Sequence, residues 1–88
     1  MGLDTVELVL AAEETFSICL PDDEVTTTET LESLCKLILE KCVYKDGLQA
    51  TPYTEIYSFL VNLLHSEFSV PLDKIHPDSR FVKDLGLD

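Results

Sequence analysis

Basic residues are scarce in this chain: six Lys and Arg stand against seventeen Asp and Glu, for a net charge of −11 over 88 residues. Nucleic acid is therefore a poor partner, because a phosphate backbone needs cations opposite it. Basic protein surfaces are the better partner, attracted and oriented by the summed field. No apolar run approaches the ~20 residues of a membrane span. No charged-then-apolar leader opens the chain. The three cysteines, Cys19, Cys35 and Cys42, are odd in number and contain no Cys-x-x-Cys spacing, so neither a disulfide framework nor a zinc site is expected. Strand alternation, internal repeats and low-complexity segments are all missing. These absences lead us to expect a soluble, cytoplasmic protein with reduced thiols and no membrane contact.

What is present suits one small domain. Eighty-eight residues suffice for a modest core, and 45% hydrophobic with 26% charged residues is ordinary for a globular fold. Three helical segments are expected. The first runs from Leu3 to Phe16, with Val6, Val9, Leu10 and Phe16 at helical spacing and Asp4, Glu7 and Glu14 on another face. Pro21 stops it, and Pro21-Asp22-Asp23-Glu24-Val25 makes one helical turn or a loop. The second lies between the run Thr26-Thr27-Thr28 and Gly47, capped by Thr28 or Thr30. Its stripe is Leu31, Leu34, Cys35, Ile38 and Cys42, which makes Cys35 and Cys42 small core residues. Lys36, Lys41 and Lys45 are expected toward its C-terminal end, where cations are favoured.

Residues 45–52 read as a connector. Thr51-Pro52 signals a helix start, an N-cap followed by proline in the first turn. The third helix is expected from about Pro52 to Ser66 or Phe68, with Ile56, Phe59, Leu60, Leu63 and Leu64 on its core face. Beyond Ser69 the chain is loop-like. His76-Pro77-Asp78-Ser79 is a turn, and Val70, Leu72, Ile75, Phe81 and Leu85 are apolar points that pin the loop to the core. Asp78 or Ser79 is expected to cap a short turn over Phe81 to Leu85, ended by Gly86. The fold class is all-α, a three- to four-helix bundle.

Two stretches of the sequence gain meaning when read tail to head. Phe81-Val82-Lys83-Asp84-Leu85-Gly86-Leu87-Asp88, followed by Leu3-Asp4-Thr5-Val6-Glu7-Leu8-Val9, resembles the signature run of the acyl carrier protein family. Phe16-x-Ile18 followed by Leu20-Pro21-Asp22-Asp23 resembles the segment after that family's second helix. Residues 53–88 resemble the family's N-terminal half and residues 1–44 its C-terminal half, so the resemblance implies an acyl-carrier-like bundle with permuted chain order, or halves split from two tandem carrier domains. The seven connector residues from Lys45 to Thr51 reach roughly 23–25 Å when extended, enough to join two helix ends of a small bundle. The same connector also allows halves to be exchanged between two chains in a domain-swapped dimer.

In the family, a serine within this run carries a 4′-phosphopantetheine arm, whose phosphate sits at a helix N-terminus as an anion should. By the resemblance its place falls at Gly2, between Asp88 and Leu3. Ser17, Ser33, Ser58, Ser66, Ser69 and Ser79 are the serines present, and none stands between Gly-x-Asp and Leu-Asp. No cofactor is therefore expected on this chain. The resemblance further implies a docking face of Asp4, Glu7, Glu13 and Glu14 for basic surfaces of carrier-dependent synthases or transferases. It implies an acyl pocket near Val6, Leu10, Leu20, Leu34 and Ile38, residues that equally suit a plain core. The expected function is an acyl-carrier-like domain of fatty acid or polyketide biosynthesis that does not take up the arm. The alternative is an acidic helical interaction module, without carrier activity and possibly domain-swapped. An enzyme is not expected: there is no glycine-rich phosphate loop, and neither His65 nor His76 has a Cys or Ser at a motif spacing. Asp22, Asp23 and Glu24 lack EF-hand spacing, and no metal is expected.

Overall fold

A computed structural model describes residues 3–87 of the chain. Among these it is all-α, with four α-helices and two short 3₁₀ turns. The α-helices are α1 (Leu3–Phe16), α2 (Asp22–Val25), α3 (Leu31–Asp46) and α4 (Tyr53–Glu67). The 3₁₀ turns are Gly47–Gln49 and Leu72–Lys74. The molecule measures 33 × 25 × 20 Å.

Each helix buries one stripe in a shared core. Helix α3 contributes Leu31, Leu34, Cys35, Ile38 and Cys42, all at or near zero exposure, which is the stripe its spacing predicts. Helix α4 contributes Ile56, Leu60 and Leu64, with Phe59 and Leu63 packed at the margin. Helix α1 departs from expectation. Leu8, Val9 and Ala12 are buried beside Thr5, whereas Val6 is 37% and Leu10 52% exposed. The reason lies in composition. Helix α1 is apolar on more than one side, so Leu8 and Ala12 compete with Val6 and Leu10 for the core. Positions 5, 8, 9, 12 and 16 form one face at the 3.6-residue period, and that face wins.

The caps follow local chemistry. Thr30, not Thr28, caps α3: its side chain accepts a hydrogen bond from the Ser33 N–H. The hydroxyls of Thr26, Thr27 and Thr28 instead donate to the carbonyls of Asp23, Glu24 and Val25. They thereby satisfy acceptors that a four-residue helix leaves open. Helix α4 starts one residue later than its sequence signal suggests. Pro52, extended at ψ 156, is the N-cap, and its carbonyl takes the N–H groups of Glu55 and Ile56. Helix α1 ends on Ser17 in the left-handed region at φ 54. The Ile18 N–H closes back on the Glu13 carbonyl at 3.2 Å, as in a Schellman ending.

Of the three lysines expected near the C-terminal end of α3, only Lys45 lies in the last turn. Lys36 pairs with Glu32 one turn earlier. The Lys41 ammonium sits 3.0 and 2.7 Å from the two carboxylate oxygens of Glu24, tying α2 to α3.

The loop after α4 is ordered by its own pins. Val70, Ile75, Phe81, Leu85 and Leu87 are buried, while Leu72 is 56% exposed because it faces out of its 3₁₀ turn. Neither Asp78 nor Ser79 caps the 81–85 turn. The Ser79 hydroxyl accepts from the His76 N–H at 2.9 Å and donates to the Lys74 carbonyl at 2.7 Å. The Arg80 N–H is met by the Asp84 carboxylate instead. Gly86, at φ 71, ends the turn, and the Leu87 N–H reaches the Phe81 carbonyl at 2.8 Å.

This loop closes onto the start of α3. The carbonyls of Ser79 and Pro77 accept the N–H groups of Leu31 and Glu32 at 3.0 and 2.8 Å, and the Phe81 N–H donates to the Glu29 carbonyl. Thr30 and Arg80 thus form an isolated antiparallel bridge. Three of the four open N–H groups at the start of α3 are in this way satisfied by two carbonyls from a distant segment and by Thr30.

Candidate functional site

Helix α1 carries the residues singled out for docking, and the structure sorts them. Glu7 and Glu14 are exposed, two turns apart on one side of the helix. Asp4 and Glu13 are half-buried. Glu13 already has a task within the fold: its carboxylate accepts the Leu20 N–H at 3.0 Å and fixes the turn that follows α1. The exposed side chains of Val6 and Leu10, one turn apart, fall beside Glu7 and Glu14. The face is therefore mixed, with two carboxylates alongside two apolar side chains. Sequence reading assigned the carboxylates and missed their apolar neighbours, which it placed in the pocket. The clue was the excess of apolar residues in α1 over what one core stripe needs.

The five residues expected around an acyl chain divide accordingly. Leu20, Leu34 and Ile38 are together in the core at 3%, 0% and 0% exposure. Val6 and Leu10 are not with them. Cys35, beside Leu34, has its thiol pushed up from 9.0 to about 12, first by burial and then by the charge of Glu32. Burial also raises the Cys42 thiol. Neither is poised as a nucleophile at neutral pH. Cys19 is exposed.

Gly2, where the resemblance puts the arm, and Asp88 lie outside the described residues. Five of the six serines have other places in the fold, and Ser58 is exposed on α4. Ser79 is buried and engaged in its turn. Ser33 shares a hydrogen bond with Thr30, and Ser66 donates to the Asn62 carbonyl. Ser17 and Ser69 hold positive φ at helix ends. A polar groove of about 470 Å³ lies against the loop, lined by Lys74, His76, Asp78, Ser79, Lys83 and Asp84. It contains none of the residues expected for docking or for an acyl chain. His65, in the last turn of α4, places its Nδ1 3.0 Å from the Val70 carbonyl and so ties the helix end to the loop. Among the described residues no group of three or more His, Cys, Asp or Glu could hold a metal ion. Nor is any described helix long and apolar enough to cross a membrane.

Comparison with known proteins places one stretch of the chain. It is 46% identical over 40 residues to the acyl carrier proteins of Rickettsia massiliae, Rickettsia felis and Rickettsia typhi. Over that stretch the chain is similar to acyl carrier proteins. The matched residues are 46% of this chain and 46% of each relative, so the match spans about half the length of the curated relatives. No family model matches the chain, and no solved structure does.

Proposed function

We propose that this chain is a non-enzymatic, acyl-carrier-type domain whose two halves stand in exchanged order. The observation that carries the reading is the 46% identity to acyl carrier proteins over 40 residues. The all-α bundle supports it. An alignment that keeps chain order bridges only one of two exchanged halves, so a match to 46% of both chains suits the exchange. In this reading residues 1–44 are the family's second half, 45–52 the connector and 53–88 its first half. Carriers of this type serve fatty acid or polyketide synthesis by presenting a thioester on a pantetheine arm. In this reading the arm's place maps to Gly2, directly before Leu3-Asp4, and glycine offers no hydroxyl to carry it.

What the domain keeps is its docking face. Glu7 and Glu14 flank Val6 and Leu10 on the exposed side of α1. Such a face suits arginine- and lysine-rich patches on carrier-dependent synthases or transferases, with the apolar pair desolvated at the centre and the carboxylates steering from the rim. The acyl pocket narrows to the core cluster around Leu20, Leu34 and Ile38. The test is a binding titration against a carrier-dependent synthase with a basic carrier site, using the parent and Glu7→Lys/Glu14→Lys. The double reversal is expected to weaken binding by at least about tenfold, ~1.4 kcal/mol. The effect should shrink in high salt as the charges are screened. Equal binding of parent and variant at low salt would remove the docking face from the account.

A further inference from the structure

The two halves of the molecule meet through one short hinge, and its two ends are both built to stop a helix. Helix α3 finishes at Asp46, and Gly47 follows at φ 62, ψ −127, a region open essentially to glycine. A Cβ at Gly47 meets nothing within 4 Å. The reversal there is set by the backbone alone and not by lack of room. Five residues later Pro52 begins α4 at φ −69, ψ 156. Inside a running helix Pro52 would offer no N–H to the Leu48 carbonyl, and its ring would clash with that carbonyl. It also turns Thr51 away from the helical region. Between the two breakers lie Leu48, Gln49 and Ala50, which are good helix formers, and Thr51, a weaker one.

Without the breakers, the segment from Leu31 to Glu67 reads as one uninterrupted helix. Such a helix is roughly 55 Å long, against 33 Å for the longest dimension of the molecule. Its two ends then carry the halves too far apart to touch within one chain. The contacts between the halves have nowhere to re-form except on a second copy. Those contacts are the Leu31–Ser79, Glu32–Pro77 and Phe81–Glu29 backbone bonds, the edge-on Phe16–Phe59 pair at 5.2 Å, and the packing of α4 on α1 and α3. Every one of them is the same in the closed monomer and in a dimer that exchanges halves. The two forms differ only in the hinge and in the entropy of association, so the hinge decides between them.

We propose that Gly47 and Pro52 act as paired helix breakers that keep this chain a closed monomer, and that without them it exchanges halves with a second copy. The proposal does not depend on what the domain carries. The test compares the parent with Gly47→Ala/Pro52→Ala by native mass spectrometry and circular dichroism, at matched concentration. The parent is expected at 9.9 kDa, and the double variant at twice that mass with added helical signal. Mixing ¹⁵N-labelled and unlabelled dimers identifies the exchange: mixed-mass dimers are expected only after unfolding and refolding together. Three results overturn the proposal: a folded double variant that stays monomeric, a dimer that mixes chains without unfolding, or a parent that is itself exchanged. If the double variant does not fold, each single variant is refolded at high concentration. A dimer fraction several-fold above the parent's is then expected, and a fraction equal to the parent's overturns the proposal.

Discussion

Removing one buried hydroxyl should loosen the joint between the two halves of this protein. Ser79 is 4% exposed, and its Oγ holds the His76 N–H at 2.9 Å and the Lys74 carbonyl at 2.7 Å. The turn so fixed presents the carbonyls of Pro77 and Ser79 to the first N–H groups of α3. Ser79→Ala deletes two hydrogen bonds and leaves a donor without a partner. At about 1 kcal/mol per bond the loss is about 2 kcal/mol, or a fall in Tm of roughly 8–16 °C for a domain of this size. Urea unfolding followed by circular dichroism measures it, with an unchanged slope expected because the folded surface is the same. Ser66→Ala is the control. Its hydroxyl also makes a bond, to the Asn62 carbonyl, but it is exposed, and the change should stay within about 0.5 kcal/mol. If Ser79→Ala costs no more than Ser66→Ala, the 77–81 turn does not hold α3, and the argument for this joint fails.

Other perturbations follow from the same structure. Leu34→Ala should destabilise by about 2–5 kcal/mol, because Leu34 is fully buried in the first turn of α3; Leu10→Ala should cost under ~1 kcal/mol despite the same chemistry, since Leu10 is half exposed. At pH 8 a thiol reagent should label Cys19 quickly and label Cys35 and Cys42 only as the protein unfolds. Stability should decline in alkali. The folded Cys35 thiol ionises only near 12, against 9.0 when free. The unfolded chain therefore binds fewer protons through this window, and stability present below pH 9 is lost between about 9 and 12. Lys41, raised by its hydrogen bond to Glu24, adds a loss of the same sign above its free value of 10.5. Melting curves across that range check the direction, and a rising Tm would contradict it.

The helices were legible because their signals are local. The α3 stripe at 31, 34, 35, 38 and 42 is a clean 3.6-residue pattern, and Gly47 at its end needs a conformation only glycine takes easily. Helix α1 was legible as a helix but not as a face. With Val6, Leu8, Val9, Leu10 and Ala12 all apolar, periodicity admits two rotations about the axis, and only packing, against α4 above all, chooses. That choice left Val6 and Leu10 exposed, apart from Leu20, Leu34 and Ile38 in the core. The role of Glu13 was hidden for a different reason. A carboxylate that accepts a backbone N–H seven residues on looks identical in sequence to one that waits for a partner. The capping of α3 by Pro77 and Ser79 could not be read either, since it joins segments more than forty positions apart. The family resemblance, by contrast, lay in short stretches read tail to head and needed no tertiary information.

The central claim is an acyl-carrier fold in exchanged order, with no serine where the arm belongs. The most direct measurement is the intact mass of the parent and of Gly2→Ser after incubation with coenzyme A and a broad-specificity phosphopantetheinyl transferase. The substitution places serine directly before Leu3-Asp4, where the tail-to-head motif requires it. The account predicts an unchanged parent and a variant heavier by one phosphopantetheine. A parent that gains the group, or a folded variant that does not, would contradict it.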